Sequence, residues 1–410
     1  MTGFSTKAVH GPGENRDPHG ALRPPVYDSV AFEFASSRDL ELAFAGRKPA
    51  HTYSRITNPT VDELEKRVRH LTGSLGVVAV SSGMAAITNV VLSLARSGSN
   101  IVTSRHLFGH SLSLFTRTLG EWGLETRFAD MTEPDSVEEL IDSSTALVFL
   151  EVISNPQLEV ADIKTLCEKA AKKGVPVVLD GTLTSSYLFN SKEAGVAVEV
   201  ISSTKFISGG ATSLGGLIID NGTFDWKGSV SLGGMSKQYG PGAFLMRLRK
   251  EVNRNIGGCL SAHNAWLQIL GLETLPLRAE ACSRNALAIA GFLGEQQRVV
   301  SVNYPGLEHS RWHATAASQF KRGFGGLVTF KLSDKEQSFV FMDSLKLIRK
   351  ATNLNDNKTL IIHPASTIFA DYSAQECEQM GISEGLIRLS VGIEDTDDLI
   401  DDLKQGLETV

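Results

Sequence analysis

The chain has little cysteine. Only Cys167, Cys259, Cys282 and Cys377 occur in 410 residues, and they are scattered. They form no Cys-x-x-Cys pair and no close Cys/His set, so neither a zinc site nor a disulfide framework is expected. Reduced thiols predict a cytoplasmic location. There is no excess of positive charge: 40 Lys and Arg stand against 46 Asp and Glu, a formal charge of −6, with no Lys/Arg-rich run. That balance argues against a nucleic-acid partner. The first residues, Met1-Thr-Gly-Phe-Ser-Thr-Lys7, lack the basic-then-apolar pattern of a signal peptide. Long apolar runs are missing but for residues 77–95, which carry no charge. Their length would permit a membrane helix. Ser81-Ser82-Gly83 interrupts the run and Thr88 and Asn89 lie within it, so a buried strand, a tight turn and a buried helix are predicted, and no membrane partner. No repeat and no low-complexity tract is present.

What remains is an ordinary globular composition, 42% hydrophobic and 21% charged. At roughly 150 residues per domain the length suggests two to three domains. Residues 1–60 hold Pro12, Pro18, Pro24, Pro25 and Pro59 and read as an extended arm. The arm also carries Val26, Tyr27, Val30, Phe32 and Phe34, so it is expected to pack on a larger body or a neighbouring subunit. Thr60 is the expected N-cap of the first long helix.

Strand patterns follow at 77–80, 100–103, 125–129, 146–151, 175–180, 196–201 and 216–219, with helical patterns such as 163–173 between most of them. Continuous apolar strands alternating with helices predict an α/β domain over 61–255, a mostly parallel sheet covered on both faces. Gly257-Gly258 marks a boundary. Residues 256–410 read as a smaller α+β domain: a helical section over 262–291 with breaks at Gly271 and Pro276, strands at 327–331, 359–362 and 386–391, and a last helix from Thr396.

Four polar groups fall at the carboxyl ends of these strands, where an open α/β sheet gathers its ligands. Ser81-Ser82-Gly83-Met84 opens a helix and offers N–H groups to an anion. Ser154-Asn155-Pro156 follows the fourth strand and could donate to a phenolate. Asp180 ends the fifth and could keep a pyridine nitrogen protonated. Ser202-Ser203-Thr204-Lys205 follows the sixth: hydroxyls for a phosphate beside a lysine able to form a Schiff base. Singly, each group fits a turn, a cap or a surface lysine equally well. Together they describe pyridoxal 5′-phosphate (PLP), which has both a carbonyl and a phosphate.

The motifs Tyr53-Ser-Arg55-Ile-Thr-Asn-Pro59-Thr, Ser81-Ser-Gly-Met-Ala-Ala86, Asn155-Pro156, Asp180, Ser202-Ser-Thr-Lys205, His363-Pro-Ala365 and Arg388-Leu-Ser-Val-Gly-Ile-Glu-Asp395 span nearly the whole chain. In that order they resemble the Cys/Met-metabolism family of PLP enzymes, which includes cystathionine synthases and lyases, methionine γ-lyases and O-acetylhomoserine sulfhydrylases. The resemblance implies the type I fold of PLP-dependent transferases. It implies that Lys205 carries the cofactor and shuttles protons, and that Asp180 pairs with the pyridine nitrogen. Ser82, Gly83, Met84, Ser202 and Thr204 would hold the phosphate, and Asn155 and Phe108 the ring. Tyr53 and Arg55 would reach a neighbouring subunit's phosphate, making the enzyme at least a dimer and, by family habit, a homotetramer. Arg388 would bind the substrate α-carboxylate, which suits its bidentate donors.

The chain also departs from the family pattern. Where a Tyr-Gly pair is common it has Leu107-Phe108-Gly109-His110. Phe108 can stack on a ring but has no proton to give. Carboxylic acids have pKa values near ~4 and thiols near ~8.5, so a carboxylate leaves with little acid help. His110 stands where γ-lyases tend to carry Cys; it is a candidate replacement acid or a polar loop residue. Gly181 stands where Asn is usual, Gly209-Gly210 where Gly-His is usual, and Ala262 where Pro is usual. Asn353 stands where a small residue commonly helps to hold the carboxylate. Residues 264–278 look most like the O-acetylhomoserine sulfhydrylase branch. The expected reaction is therefore γ-replacement on an O-acylhomoserine, with sulfide or a thiol entering through a β,γ-unsaturated ketimine. The alternative is γ-elimination from methionine or another γ-substituted amino acid, giving a 2-oxoacid and ammonia.

Overall fold

Alternate residues of the strand Gly76–Val80 (β1) point into different cores, as the two-residue period of a strand requires. Val78 and Val80 face the helix Gly83–Leu94, while Val77 and Ala79 join a second cluster with the helices Pro59–Thr72 and Ala262–Glu273. This is the two-sided burial that continuous apolar strands predict. The computed structural model describes residues 3–13, 17 and 19–410. Six more strands complete the sheet: β2 (Asn100–Thr103), β3 (Glu125–Phe128), β4 (Thr145–Glu151), β5 (Val177–Asp180), β6 (Val198–Ile201) and β7 (Gly216–Asp220). Their order is β1-β7-β6-β5-β4-β2-β3. All run the same way except β7, which is antiparallel to both its neighbours.

The second sheet has five strands: β8 (Ser301–Asn303), β9 (Leu327–Lys331), β10 (Arg349–Lys350), β11 (Leu360–Ile362) and β12 (Leu386–Ser390), ordered β10-β11-β12-β9-β8. The helix Leu275–Gly294 packs on it through Ile289 and Leu293, and the last helix, Thr396–Leu407, through Leu399 and Leu403. β8 and β10 escape a sequence reading because they are short and partly or wholly exposed, with no apolar run to mark them. The expected helix breaks at Gly271 and Pro276 merge into one, at Thr274. Gly271 lies inside the first helix, where a side chain would collide with the backbone of Ile207 and Ser208, and Pro276 sits in the first turn of the second.

Among the described residues of the first sixty are two short helices, Phe4–His10 and Ser37–Phe44; Pro18 lies outside the described residues. Thr60 is not the N-cap. Pro59 occupies the first helical turn, and Asn58 Oδ1 accepts from the N–H groups of Thr60 at 2.9 Å and Val61 at 3.4 Å. The Thr60 hydroxyl pins the arm instead, donating to Pro25 O at 3.0 Å and accepting from Tyr27 N at 2.9 Å. The uncharged run resolves into β1, a turn and a twelve-residue helix. Among the described residues no helix is long and apolar enough to cross a membrane.

Candidate active site

The strand ends converge as open α/β topology demands. One cavity of about 720 Å³ is lined by Ser82, Gly83 and Met84 after β1, by Phe108 and His110 after β2, and by Glu151 and Asn155 at and after β4. Asp180 at the end of β5 and Ser202, Thr204 and Lys205 after β6 line it too. The smaller sheet contributes Arg388 from β12. The volume is that of a small-molecule site.

At one end the helix Gly83–Leu94 presents its first turn, whose N–H groups have no partner within the helix. The Ser82 hydroxyl accepts from Ala85 N at 3.1 Å. A Cβ at Gly83 would lie 2.7 Å from Ser202 Cβ, so only glycine lets the helix terminus close against the Ser202 turn. The Thr204 hydroxyl bonds Gly215, accepting from its N–H at 3.1 Å and donating to its carbonyl at 3.2 Å. The result is a compact seat for an anion.

Lys205 Nζ donates to Asn353 Oδ1 at 2.5 Å. Its pKa is lowered to about 8, by burial first and by the Arg388 guanidinium next, with Asp356 opposing both. The amine thus gives up its proton more readily than an ordinary lysine, as a lysine nucleophile must. Asp180 is raised by burial and partly restrained by Thr182, whose N–H donates to Oδ1 at 2.9 Å. Arg388 is 2% exposed, and burial brings its pKa down to about 10. It donates to Asn155 Oδ1 at 3.1 Å and to the carbonyls of Thr352 and Asn353 at 3.3 Å each, and its Nε has no partner. Among the described residues no carboxylate pairs with it. A buried, unneutralised guanidinium is costly unless an anion arrives. Phe108 stands edge-on to His110, with ring centres 5.0 Å apart.

Sequence reasoning missed Glu151. It ends β4 in register with Asp180, so the two carboxyls share a face. Glu151 accepts from Phe108 N at 2.6 Å and from Asn155 N at 3.0 Å, tying together the two loops that cover the cavity. Burial drives its pKa well above the carboxylate range, and Asp180 adds to the effect. An acid closing an otherwise apolar strand was the available signal. Asn353, expected to help hold the substrate carboxylate, is not a lining residue, though its neighbours Thr352 and Leu354 are; its side chain is taken by Lys205 and Asp356. Tyr53 and Arg55 are not brought to this cavity by their own chain. Arg55 lies beside a separate pocket of about 250 Å³, stacks over Tyr53 at 5.5 Å and donates to Arg254 O at 2.5 Å.

A buried carboxylate, a lysine of lowered pKa, an anion seat and an unpaired guanidinium around one space define a pyridoxal-phosphate site, and the unsatisfied Arg388 and the closed Gly83–Ser202 seat fit that cofactor and an amino-acid carboxylate. The chain belongs to the Cys/Met metabolism PLP-dependent enzyme family, whose pattern matches residues 5–408, and it has the family's type I fold. It is 36% identical to the O-acetyl-L-homoserine sulfhydrylase of Corynebacterium glutamicum, covering 100% of this chain and 97% of that protein. A Campylobacter jejuni structure carrying N′-pyridoxyl-lysine-5′-monophosphate at its position 205 matches with TM-score 0.92 and 34% identity, over 99% of this chain and 100% of that one. An O-acetylhomoserine sulfhydrylase of Wolinella succinogenes, described with a mechanism of sulfur transfer in methionine biosynthesis, is 48% identical with TM-score 0.77, over 86% of this chain and 98% of that one.

Proposed function

We propose that the chain catalyses PLP-dependent γ-replacement on an O-acylhomoserine, with sulfide or a small thiol as the incoming group. One observation carries the reading: Lys205, Asp180 and the unpaired Arg388 line a single cavity in which the ring beside them, Phe108, has no proton to donate. Pyridoxal phosphate, when bound, supplies an aldehyde for an amine and an electron sink for carbanion charge. Asp180 would hold its pyridine nitrogen, Phe108 one ring face, Asn155 the ring oxygen through its amide N–H, and the Gly83–Met84 turn with Ser202 and Thr204 its phosphate. Arg388 orients the substrate by its α-carboxylate. Lys205 Nζ, made less basic by burial, would take the α-proton, return it to the substrate–cofactor adduct, and as the free amine again take a β-proton. The leaving carboxylate needs no acid at the γ-oxygen, since its conjugate acid has a pKa near ~4.

A second reading is γ-elimination from methionine or a related amino acid, favoured by one fact: His110 lines the cavity beside Phe108 and could protonate a thiolate. Purified holoenzyme is to be given O-acetylhomoserine with and without sulfide, beside methionine. Homocysteine formed only with both O-acetylhomoserine and sulfide is the expected result. Fast 2-oxobutyrate from methionine with O-acetylhomoserine inert would replace the first reading by the second.

We infer that the arm, residues 1–60, packs on a neighbouring subunit, that residues 61–255 form the PLP-binding α/β domain, and that residues 256–410 form a C-terminal α+β domain, which supplies Arg388 to the cavity. Val26, Tyr27, Val30 and Tyr53 are exposed on the arm, as subunit-covered residues are in a lone chain. The active unit is then at least a dimer, and a homotetramer by family habit. The four cysteines are free thiols, in keeping with a cytoplasmic setting.

A further inference from the structure

The structure gives the Asn353 side chain partners of its own. Its Oδ1 accepts from Lys205 Nζ at 2.5 Å. Its Nδ2 donates to Asp356 Oδ2 at 2.9 Å. Asp356 is itself buried and fixed, accepting from Lys358 N at 3.2 Å. The two bonds settle which way the amide faces: nitrogen to Asp356, oxygen to Lys205. The main chain at the same residue is anchored too, because Arg388 donates to Asn353 O at 3.3 Å.

We propose that Asn353, oriented by Asp356, is a positioning residue that holds the free amine of Lys205 at the cavity wall whenever that amine is not bonded to the cofactor. The inference rests on Lys205 being the cofactor lysine. An amide oxygen is the acceptor this task needs. A carboxylate in contact would lock the amine as an ammonium ion, because an opposite charge within about 4–6 Å favours the charged form by roughly 1–3 pK units. An apolar side chain would leave a buried amine without a partner. Asn353 avoids both and sets the carboxylate of Asp356 one residue further away. The side chain therefore serves the lysine, and the substrate carboxylate is left to Arg388. The other charged or titratable groups lining the same cavity as Lys205 are Arg388, Asp180, Glu151 and His110.

The test uses full-length protein stripped of cofactor and needs no turnover. The rate of PLP attachment, followed by its visible absorbance between about pH 6 and 10, reports the deprotonation of Lys205. Asn353→Asp should move the midpoint up by at least about one pH unit. Asp356→Asn keeps a hydrogen-bonding side chain but removes the charge, so the midpoint should fall. Asn353→Ala should also lower it and slow attachment. Thermal melts check that each variant is folded, and the charge-only Asp356→Asn variant keeps the idea testable if Asn353→Asp is not. Midpoints equal to wild type in the folded variants, or an Asn353→Asp midpoint that falls, overturn the proposal. Lys205→Ala separates the two layers: attachment that survives it removes Lys205 from its assigned place, whereas its loss with unmoved Asn353 and Asp356 variants removes only the positioning role.

Discussion

Gly181 shows how one residue records its surroundings. It follows Asp180 directly, and an ideal Cβ there would lie 2.0 Å from Glu199 Oε1. Glu199 is fully buried on β6, held by the Ser191 hydroxyl donating to Oε2 at 2.6 Å, while Oε1 has no partner. The glycine is small because the glutamate fills its space. Gly181→Ala should therefore cost roughly 1–3 kcal/mol through overpacking. Glu199→Ala empties that space, so the double variant should lose much less than the sum of the two. Urea unfolding of the four proteins in a double-mutant cycle measures the coupling; additive losses would mean the two side chains are indifferent to each other.

The strand pair β6–β7 carries an acid on each member that burial keeps protonated. Glu199 is pushed up to about 7, with Asp180 a further cause, and Asp220, in register with Val198, is likewise raised to about 7 by burial. Between the ordinary carboxyl range and pH 7 the folded chain holds these protons while the unfolded chain has released them. The slope of stability with pH is then negative: the contribution is full at low pH and is lost as pH rises toward 7. Glu199→Gln keeps the shape and removes one titration. Its urea midpoint should fall less than wild type's between about pH 5 and 7, the difference being roughly 1–3 kcal/mol. Parallel pH profiles for the two proteins would remove Glu199 from the account. The same pair explains the direction of β7. Only residues 202–215 join the strands, and they are spent on turns around Lys205, with no helix to make a parallel crossover.

At the scale of the whole molecule, Tyr53 and Arg55 belong to the matched motifs yet lie away from the Lys205 cavity of their own chain. If they complete a neighbour's site, Arg55→Ala and Lys205→Ala will each be nearly inactive as pure proteins. Subunits of the two, dissociated and reassembled together, form some sites with both residues intact. Activity should then reappear in the mixture. No recovery in mixed oligomers verified by mass would place both residues in service of their own chain.

The seven strands of the large sheet and the polar groups at their ends were legible in the sequence, because each is written locally. An apolar run marks a strand, and the residues just past it lie where the sheet opens. Asp180, Lys205 and the Ser82–Met84 turn could be read in this way. So could the type I fold, from the order of the motifs. The site's inner wiring was not local. Glu151 gains its meaning only when Phe108 N and Asn155 N converge on it, Gly181 only against Glu199, and Asn353 only when a chain 148 residues long folds back to put its amide on Lys205. The cap at Asn58 rather than Thr60 and the reversed β7 likewise depended on which partner each hydrogen bond found. The sequence by itself determined which elements form and what class of chemistry they carry, since propensity and apolar period act over a few residues. The tertiary structure alone decided the pairings that tune that chemistry, since burial and charge at Lys205 are set by groups distant in the chain.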